Sequence, residues 1–470
     1  MVLTAGIALR MLAVLGYPSV LWFGDSEGYL RGALRPEPSE LRPSGYSLML
    51  WLLRPFGDFT LVVAVQHLMG VAVGVMLYAV AWRAARAAWP DRALAPGLVG
   101  AAVAAPSLLD AYQIELEHLL MSDTAFTFLV TAALTVLLWR PGLTWRTGAA
   151  AGLMLGAAAL TRSVGLPLIA VVVVCLALRR VSWRAVAASV AAFAMCVGAY
   201  AGWYRAVHGE FAMSSSNGAF LYGRTAAFAD CREIRPPADL RVLCREQTRH
   251  VPGVAPAFAA LWTKYSPFRD LPGGVTGRYA NELATRFALR AVMAQPADYA
   301  WTVARDTSRS FAWTRSDYPR RWTASQYRFP EHGWMPKKAV PEARAYGRDS
   351  AEPRVVEPYA GWMRAYQKWG YLPGTLLGVV LVAGLAGMAV RRRPWGGAAL
   401  LPWLTGAALL VVPPAIADFD YRYVLPVMPM AALAAALALL PRTRAAEPPR
   451  THAADADDPG KGDAAVRGDR

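Results

Sequence analysis

The chain has 470 residues, of which 55% are hydrophobic and only 17% charged, where a soluble domain carries about a quarter charged residues. Long apolar blocks alternate with short basic linkers, a pattern that excludes a soluble globular protein and defines an α-helical polytopic membrane protein. The formal charge of +16 does not gather into one patch on a soluble fold, which argues against nucleic-acid binding. It fits anionic lipid head groups or a phosphorylated substrate, with an Arg-rich composition accounting for part of it.

In chain order, residues 1–23 are apolar with one charge, Arg10, and read as an uncleaved first span with Arg10 toward the cytoplasm. A loop over 24–58 follows, with a short interfacial helix expected at Tyr46 to Leu53. Further spans are expected at 59–82, 94–109, 119–139, 147–160, 164–178 and 185–204. A polar block over 205–371 holds 25 Lys and Arg against 15 Asp and Glu. It is too long for a connector and reads as a mostly helical extracytoplasmic domain, with a helix at 281–293. Cys231 and Cys244 lie in it, and they are a disulfide candidate if that block is outside the cytoplasm. Spans at 372–390, 398–416 and 423–440 complete a set of about ten. The tail, 441–470, reads as disordered and cytoplasmic. The domain reading is thus seven spans over 1–204, a soluble domain over 205–371 and three spans over 372–440.

Charge fixes the orientation. With the N-terminus cytoplasmic, the basic linkers at 83–92, 140–146, 179–184 and 391–393 fall on the cytoplasmic side of a plasma membrane. The acidic loops at 24–58, 110–118 and 417–420, and the long block, fall on the other. Candidate functional groups collect on that outer face: Asp25, Glu27, Tyr29, Arg42 and Tyr46 in the first loop, and Glu117, His118 and Asp123 around the fourth span. Arg162 follows the fifth span, and Asp418, Asp420, Arg422 and Tyr423 precede the last. Carboxylates, arginines and an apolar bundle together suit group transfer from a lipid phosphate: the acid removes a proton from an attacking hydroxyl and the arginines stabilise the leaving phosphate. In a regular helix Glu117 and Asp123 would stand about 120° apart. They converge only if Glu117 precedes the helix, whereas His118 and Ser122 would share a face. His118 alone reads more readily as a hydrogen-bonded interface residue than as a ligand.

The order of motifs resembles a known superfamily. An acidic motif after the first span, Arg42-Pro43-Ser44-Gly45-Tyr46, Glu117-His118-Leu119-Leu120-Met121-Ser122-Asp123-Thr124, Thr161-Arg162 and Asp420-Tyr421-Arg422-Tyr423 are similar to those of the GT-C glycosyltransferases, which include the protein O-mannosyltransferases and the aminoarabinose transferases. The resemblance implies an inverting transferase that moves a sugar from a polyprenyl-phosphate donor to a cell-envelope glycan, lipid or protein. It implies Asp25 as general base, with Arg42, Tyr46, Arg162 and Arg422 near the donor phosphate. Glu27, Tyr29, Glu117, His118 and Asp123 are then the acceptor- or sugar-binding candidates. The chain departs from the family in having Asp-Ser where Asp-Glu is commoner, and in its ten spans. No cofactor is demanded; Glu27, Glu117 and His118 are the candidates for a divalent metal site. A transporter or lipid flippase is the rival reading. It calls for charges buried mid-span, whereas the charges in this sequence read as clustering at span ends. A non-catalytic envelope scaffold is a third, which would leave Asp25, Arg162 and Arg422 far apart.

Overall fold

A computed structural model describes residues 1–140, 142–244, 251–391 and 394–441. The expected tail therefore lies, but for Pro441, outside the described residues. Helices dominate, and the extended pairing among the described residues amounts to two isolated bridges. The first ten helices are α1 (Val2–Gly16), α2 (Ser26–Leu34), α3 (Gly45–Leu53), α4 (Phe59–Ala88), α5 (Ala95–Leu109), α6 (Ala111–His118), α7 (Asp123–Trp139), α8 (Trp145–Thr161), α9 (Leu168–Leu178) and α10 (Trp183–His208). Apolar helices also run over Gly374–Val390, Leu400–Ile416 and Val427–Leu439.

This is a helical polytopic membrane protein. Four stretches among the described residues, Phe59–Ala88, Trp183–His208, Gly396–Ile416 and Tyr421–Leu439, are long and apolar enough to cross a membrane. A fifth arises if α5 and α6, bent by 52° at Asp110, count as one broken span. Four more apolar stretches, α1 and α7 among them, are shorter, at 10–17 residues. Local chemistry sets the ends. Asp58 caps α4 by accepting from the Thr60 amide, and Thr144 and Thr147 form a reciprocal capping box on α8. Asp110 makes the bend: its carboxylate accepts from the amides of Tyr112 and Gln113 to start α6, and from the Leu372 amide across the fold.

The 205–371 block divides. Residues from Ala219 to Ala291, including Tyr222, Phe268 and Phe287, build a core of their own, stapled at its edge by a Cys231–Cys244 disulfide. Tyr327, Phe329, Ala360 and Met363 instead enter the core of the bundle. The helix expected near 281–293 is Arg278–Ala294, whose buried face is Ala280, Leu283, Ala284, Phe287, Ala288 and Ala291.

The first span departs from expectation. Arg10 is buried in mid-α1 and grips Glu117 of α6 with both arms of its guanidinium: Nε donates to Oε2 and Nη2 to Oε1, each at 2.7 Å. An unpaired charge is costly in an apolar bundle, so the arginine turns inward to a partner rather than lying toward a membrane surface. Room for that carboxylate comes from α4, where a Cβ on Gly70 would lie 1.9 Å from Glu117 Oε1. Gly70→Ala should therefore destabilise the bundle by about 1–3 kcal/mol, the usual cost of overpacking. Gly198→Ala, whose new Cβ meets nothing within 4 Å, should be neutral or slightly stabilising; reversible unfolding in detergent micelles compares the two.

Candidate active site

The site starts from a single backbone pairing. Leu21 and Leu119 form a parallel bridge, in which the Leu21 amide donates to His118 O at 3.0 Å and the Leu120 amide to Leu21 O at 2.9 Å. Both segments run the same way, and each meets an aspartate four residues later, Asp25 and Asp123. Ser26 locks the first segment to the second: its hydroxyl accepts from the Phe23 amide at 2.9 Å and donates to Leu120 O at 3.0 Å. From the 205–371 block, Gln326 Oε1 accepts from the Gly24 amide at 3.0 Å and Tyr327 stacks on Phe23.

Asp25 occupies the N-cap position of α2, yet its carboxylate makes no capping hydrogen bond. It turns instead to two arginines: Arg42 Nη2 donates to Oδ1 at 2.9 Å and Arg422 Nη1 to Oδ2 at 3.0 Å. Burial pushes this carboxyl up, but the Arg42 and Arg422 guanidiniums outweigh it and hold it well below the usual carboxylate range. Arg42 also lies over the Tyr29 ring at 4.9 Å, and the Tyr29 hydroxyl meets Ser122 Oγ at 2.9 Å. Arg422 lies over Phe23 and Tyr423, and Arg162 covers the same Tyr423 ring at 4.9 Å while pairing with the buried Asp123. The Arg162 pair takes Asp123 Oδ1; Asp123 Oδ2 has no hydrogen-bond partner among the described residues, and neither has Arg422 Nε, which lies 3.6 Å from Asp420 Oδ2. Buried polar atoms are normally satisfied, so Asp123 Oδ2 and Arg422 Nε stand out here.

Each arginine is brought in by its own support. The Arg42 loop is held by α10, where Tyr200 Oη accepts from the Ser44 amide at 3.1 Å and donates to Ser44 Oγ at 3.2 Å. Gly45 then lets the chain touch the end of α8, since a Cβ there would stand 2.5 Å from Leu160 O. That contact sets the Arg42 loop beside Arg162. Arg422 follows Asp420, whose carboxylate accepts from the Arg422 amide at 3.2 Å. The same loop is anchored to the 205–371 block, because Tyr318 Oη donates to Asp418 Oδ1 at 2.6 Å, and the buried Arg224 bridges Asp306 at 2.6 Å and Asp418 at 3.8 Å. Burial pushes the Asp418 carboxyl up to about 6 despite Arg224.

Asp25, Tyr29, Arg42, Asp123, Arg162 and Arg422 are thus gathered in one place. Glu27, Glu117 and His118 are not, and Tyr46 meets the group through its ring, edge-on to Tyr29 at 4.9 Å. Glu27 pairs with Arg31 on its own helix. The Tyr46 hydroxyl, fully buried, donates to Gln66 Oε1 at 2.6 Å. Glu117 and His118 are fully buried and face α1 and α4: Glu117 holds Arg10, and His118 Nε2 donates to Tyr17 O at 2.8 Å. The reason is the break at Leu119, which is extended. Glu117 ends α6 and Asp123 opens α7, so the two do not converge, and His118 and Ser122 do not share a helix face. The charges also do not keep to span ends, since Arg10, His67 and Glu117 are buried together between α1, α4 and α6. Sequence reasoning passed over Gln66 and His67. Two adjacent polar residues inside the apolar run of α4 were the available signal. Among the described residues no group of three or more His, Cys, Asp or Glu is set to hold a metal ion.

No family model matches this sequence, and no curated protein matches it. Among solved structures the chain is similar to ArnT from Cupriavidus metallidurans in the apo state, at 15% identity and a TM-score of 0.34, covering 93% of this chain and 76% of that one. ArnT has also been solved bound to undecaprenyl phosphate, with the same identity and TM-score. The archaeal oligosaccharyltransferase AglB from Archaeoglobus fulgidus, in complex with an inhibitory peptide and a dolichol-phosphate, is similar at 12% identity and a TM-score of 0.37, with this chain spanning 50% of its length.

The lowered Asp25 carboxyl carries a stability consequence with a defined sign. Because the folded value lies below the unfolded one, near 3.9, its ion pairs contribute fully above that value and are lost as pH falls through the folded value. The stability difference between the wild-type chain and Asp25→Asn should hold constant from pH 8 to about 5 and shrink progressively below about 4, as read from thermal unfolding in detergent.

Proposed function

We propose that this protein is an inverting glycosyltransferase that moves a sugar from a polyprenyl-phosphate donor to a cell-envelope acceptor, with Asp25 as the general base. The observation that carries the reading is the Asp25 carboxylate set between the Arg42 and Arg422 guanidiniums, with Arg162 and Asp123 alongside. Two arginines that grip a carboxylate have the geometry to grip a phosphate. A donor phosphate competes for them, and each hydrogen bond it draws away makes Asp25 a stronger base. The acceptor hydroxyl then gives its proton to Asp25 as its oxygen attacks the anomeric carbon. The bond from that carbon to the phosphate oxygen breaks, the phosphate keeps the electron pair, and its charge falls to Arg42, Arg162 and Arg422. Asp123, whose Oδ2 has no hydrogen-bond partner among the described residues, accepts from a sugar hydroxyl in this reading.

In this reading the protein is a plasma-membrane protein with both termini cytoplasmic and the site on the outer face, and the 205–371 block selects the acceptor. A transporter or lipid flippase is the second reading, favoured by the charges buried between α1, α4 and α6.

Asp25→Asn should lower transfer by about 10²–10⁴-fold, the range for a general base, while the folded protein still reaches the membrane. The assay follows a labelled sugar from a polyprenyl-phosphate donor into an envelope fraction. Wild-type activity in the variant removes Asp25 from the mechanism, and movement of the lipid across vesicles without transfer selects the second reading.

A further inference from the structure

The buried quartet of Arg10, His67, Glu117 and His118 plays no part in the proposed reaction, and its hydrogen-bond count does not close with neutral imidazoles. Glu117 takes two hydrogen bonds from Arg10 at 2.7 Å and one from Gln113 Nε2 at 3.1 Å, the setting of an ionised carboxylate. His67 Nδ1 stands 3.0 Å from Glu117 Oε2, so that nitrogen carries a hydrogen. His118 Nε2 stands 2.8 Å from Tyr17 O and 3.1 Å from Ser19 O. Carbonyl oxygens only accept, so that nitrogen carries a hydrogen as well. A neutral imidazole has one N–H, and each ring has now used its own.

The two remaining nitrogens, His67 Nε2 and His118 Nδ1, face one another at 3.0 Å. With both rings neutral this contact sets lone pair against lone pair. A hydrogen bond there needs a third proton. We infer that His67 and His118 hold one proton between them, so that α4 and α6 form a buried proton-binding site with one imidazolium shared across the pair. The surroundings accept the added charge. The groups facing the pair are the Glu117 carboxylate of α6, Arg10 of α1, which Glu117 neutralises, and Tyr17, whose ring meets His118 edge-on at 6.2 Å. Carbonyl oxygens of Gly6, Leu108 and Ser107 satisfy Arg10, and those of Tyr17 and Ser19 satisfy His118. Chains of Glu and His inside membrane bundles are the usual carriers of bound protons. Loss of the proton forces the rings apart and loosens the Tyr17–Ser19 segment, which runs on to Leu21 and Asp25.

The test needs no substrate and stands apart from the transferase reading. The chain has six histidines. Replacing the other four by glutamine (His208→Gln, His250→Gln, His332→Gln, His452→Gln) leaves His67 and His118 as its sole imidazoles. Nitrogen-15 magnetic resonance of this chain, histidine-labelled and held in lipid nanodiscs at pH 8, then counts protonated ring nitrogens; a free imidazole, with its ordinary value near 6.5, carries one. Three protonated nitrogens of four is the expected result, and two or four overturns the inference. In the unsubstituted chain the same proton gives a nitrogen–nitrogen coupling across the His67–His118 hydrogen bond, so the proposal stays open to refutation if the four-fold variant does not fold. Absence of that coupling also overturns it.

Discussion

The parallel bridge between Leu21 and Leu119 is the constraint on which the rest depends. Alone it is two hydrogen bonds, each worth about 1 kcal/mol net. It holds because both segments are pinned from behind. Gln66 of α4 donates to Glu117 O and Leu119 O, and His118 reaches back to Tyr17 and Ser19 on the opposing segment. Arg10 and Gly70 fix Glu117 beneath them. The bundle thus places its costliest groups, a buried ion pair and two imidazoles, under a short non-helical crossing. Removing one partner leaves an uncompensated buried charge, the situation that destabilises most. The crossing in turn delivers Asp25 and Asp123 together.

On the other side of the crossing the charges are shared rather than paired one to one. Below it Arg10 and Glu117 form a buried one-to-one pair. At Asp25 one carboxylate meets two guanidiniums, and Arg42, Arg162 and Arg422 together face Asp25, Asp123 and Asp420, the last 3.6 Å from Arg422 Nε. The cation–π contacts with Phe23, Tyr29 and Tyr423 hold the arginine planes without using their hydrogen-bond donors. Donors oriented this way can pass from the carboxylate to an incoming anion with little rearrangement, the kind of preorganisation that group transfer needs.

The sequence made the architecture legible where a signal is local. Each apolar block contains a helix, the short helix expected from Tyr46 to Leu53 stands at Gly45–Leu53, and the polar block carries its own core. Charge-sidedness also grouped Asp25, Arg42, Asp123, Arg162 and Arg422, because loops on one face of a bundle must meet. The failures share one cause. Helix-face arithmetic applied to Glu117, His118, Ser122 and Asp123 presumes an unbroken helix, and the break at Leu119 is imposed by Leu21 and Gln66, 98 and 53 residues away. Arg10 misled for the same reason: its partner lies 107 positions on, and no periodicity connects the two. Gln326, which holds Gly24 from 302 positions away, leaves no trace in local pattern at all.

The disulfide between Cys231 and Cys244 bears on geography as well as stability. Such bonds persist in oxidising compartments and are rare where glutathione keeps thiols reduced. The core it staples is tied through Arg224 to Asp418, and through that loop to Arg422 and Asp25. The oxidised pair thus belongs to the same tied assembly as Asp25, with Arg224 and the 418–422 loop as the links. A covalent link closed over 13 positions of chain reaches, through one buried arginine, a carboxylate far away in sequence.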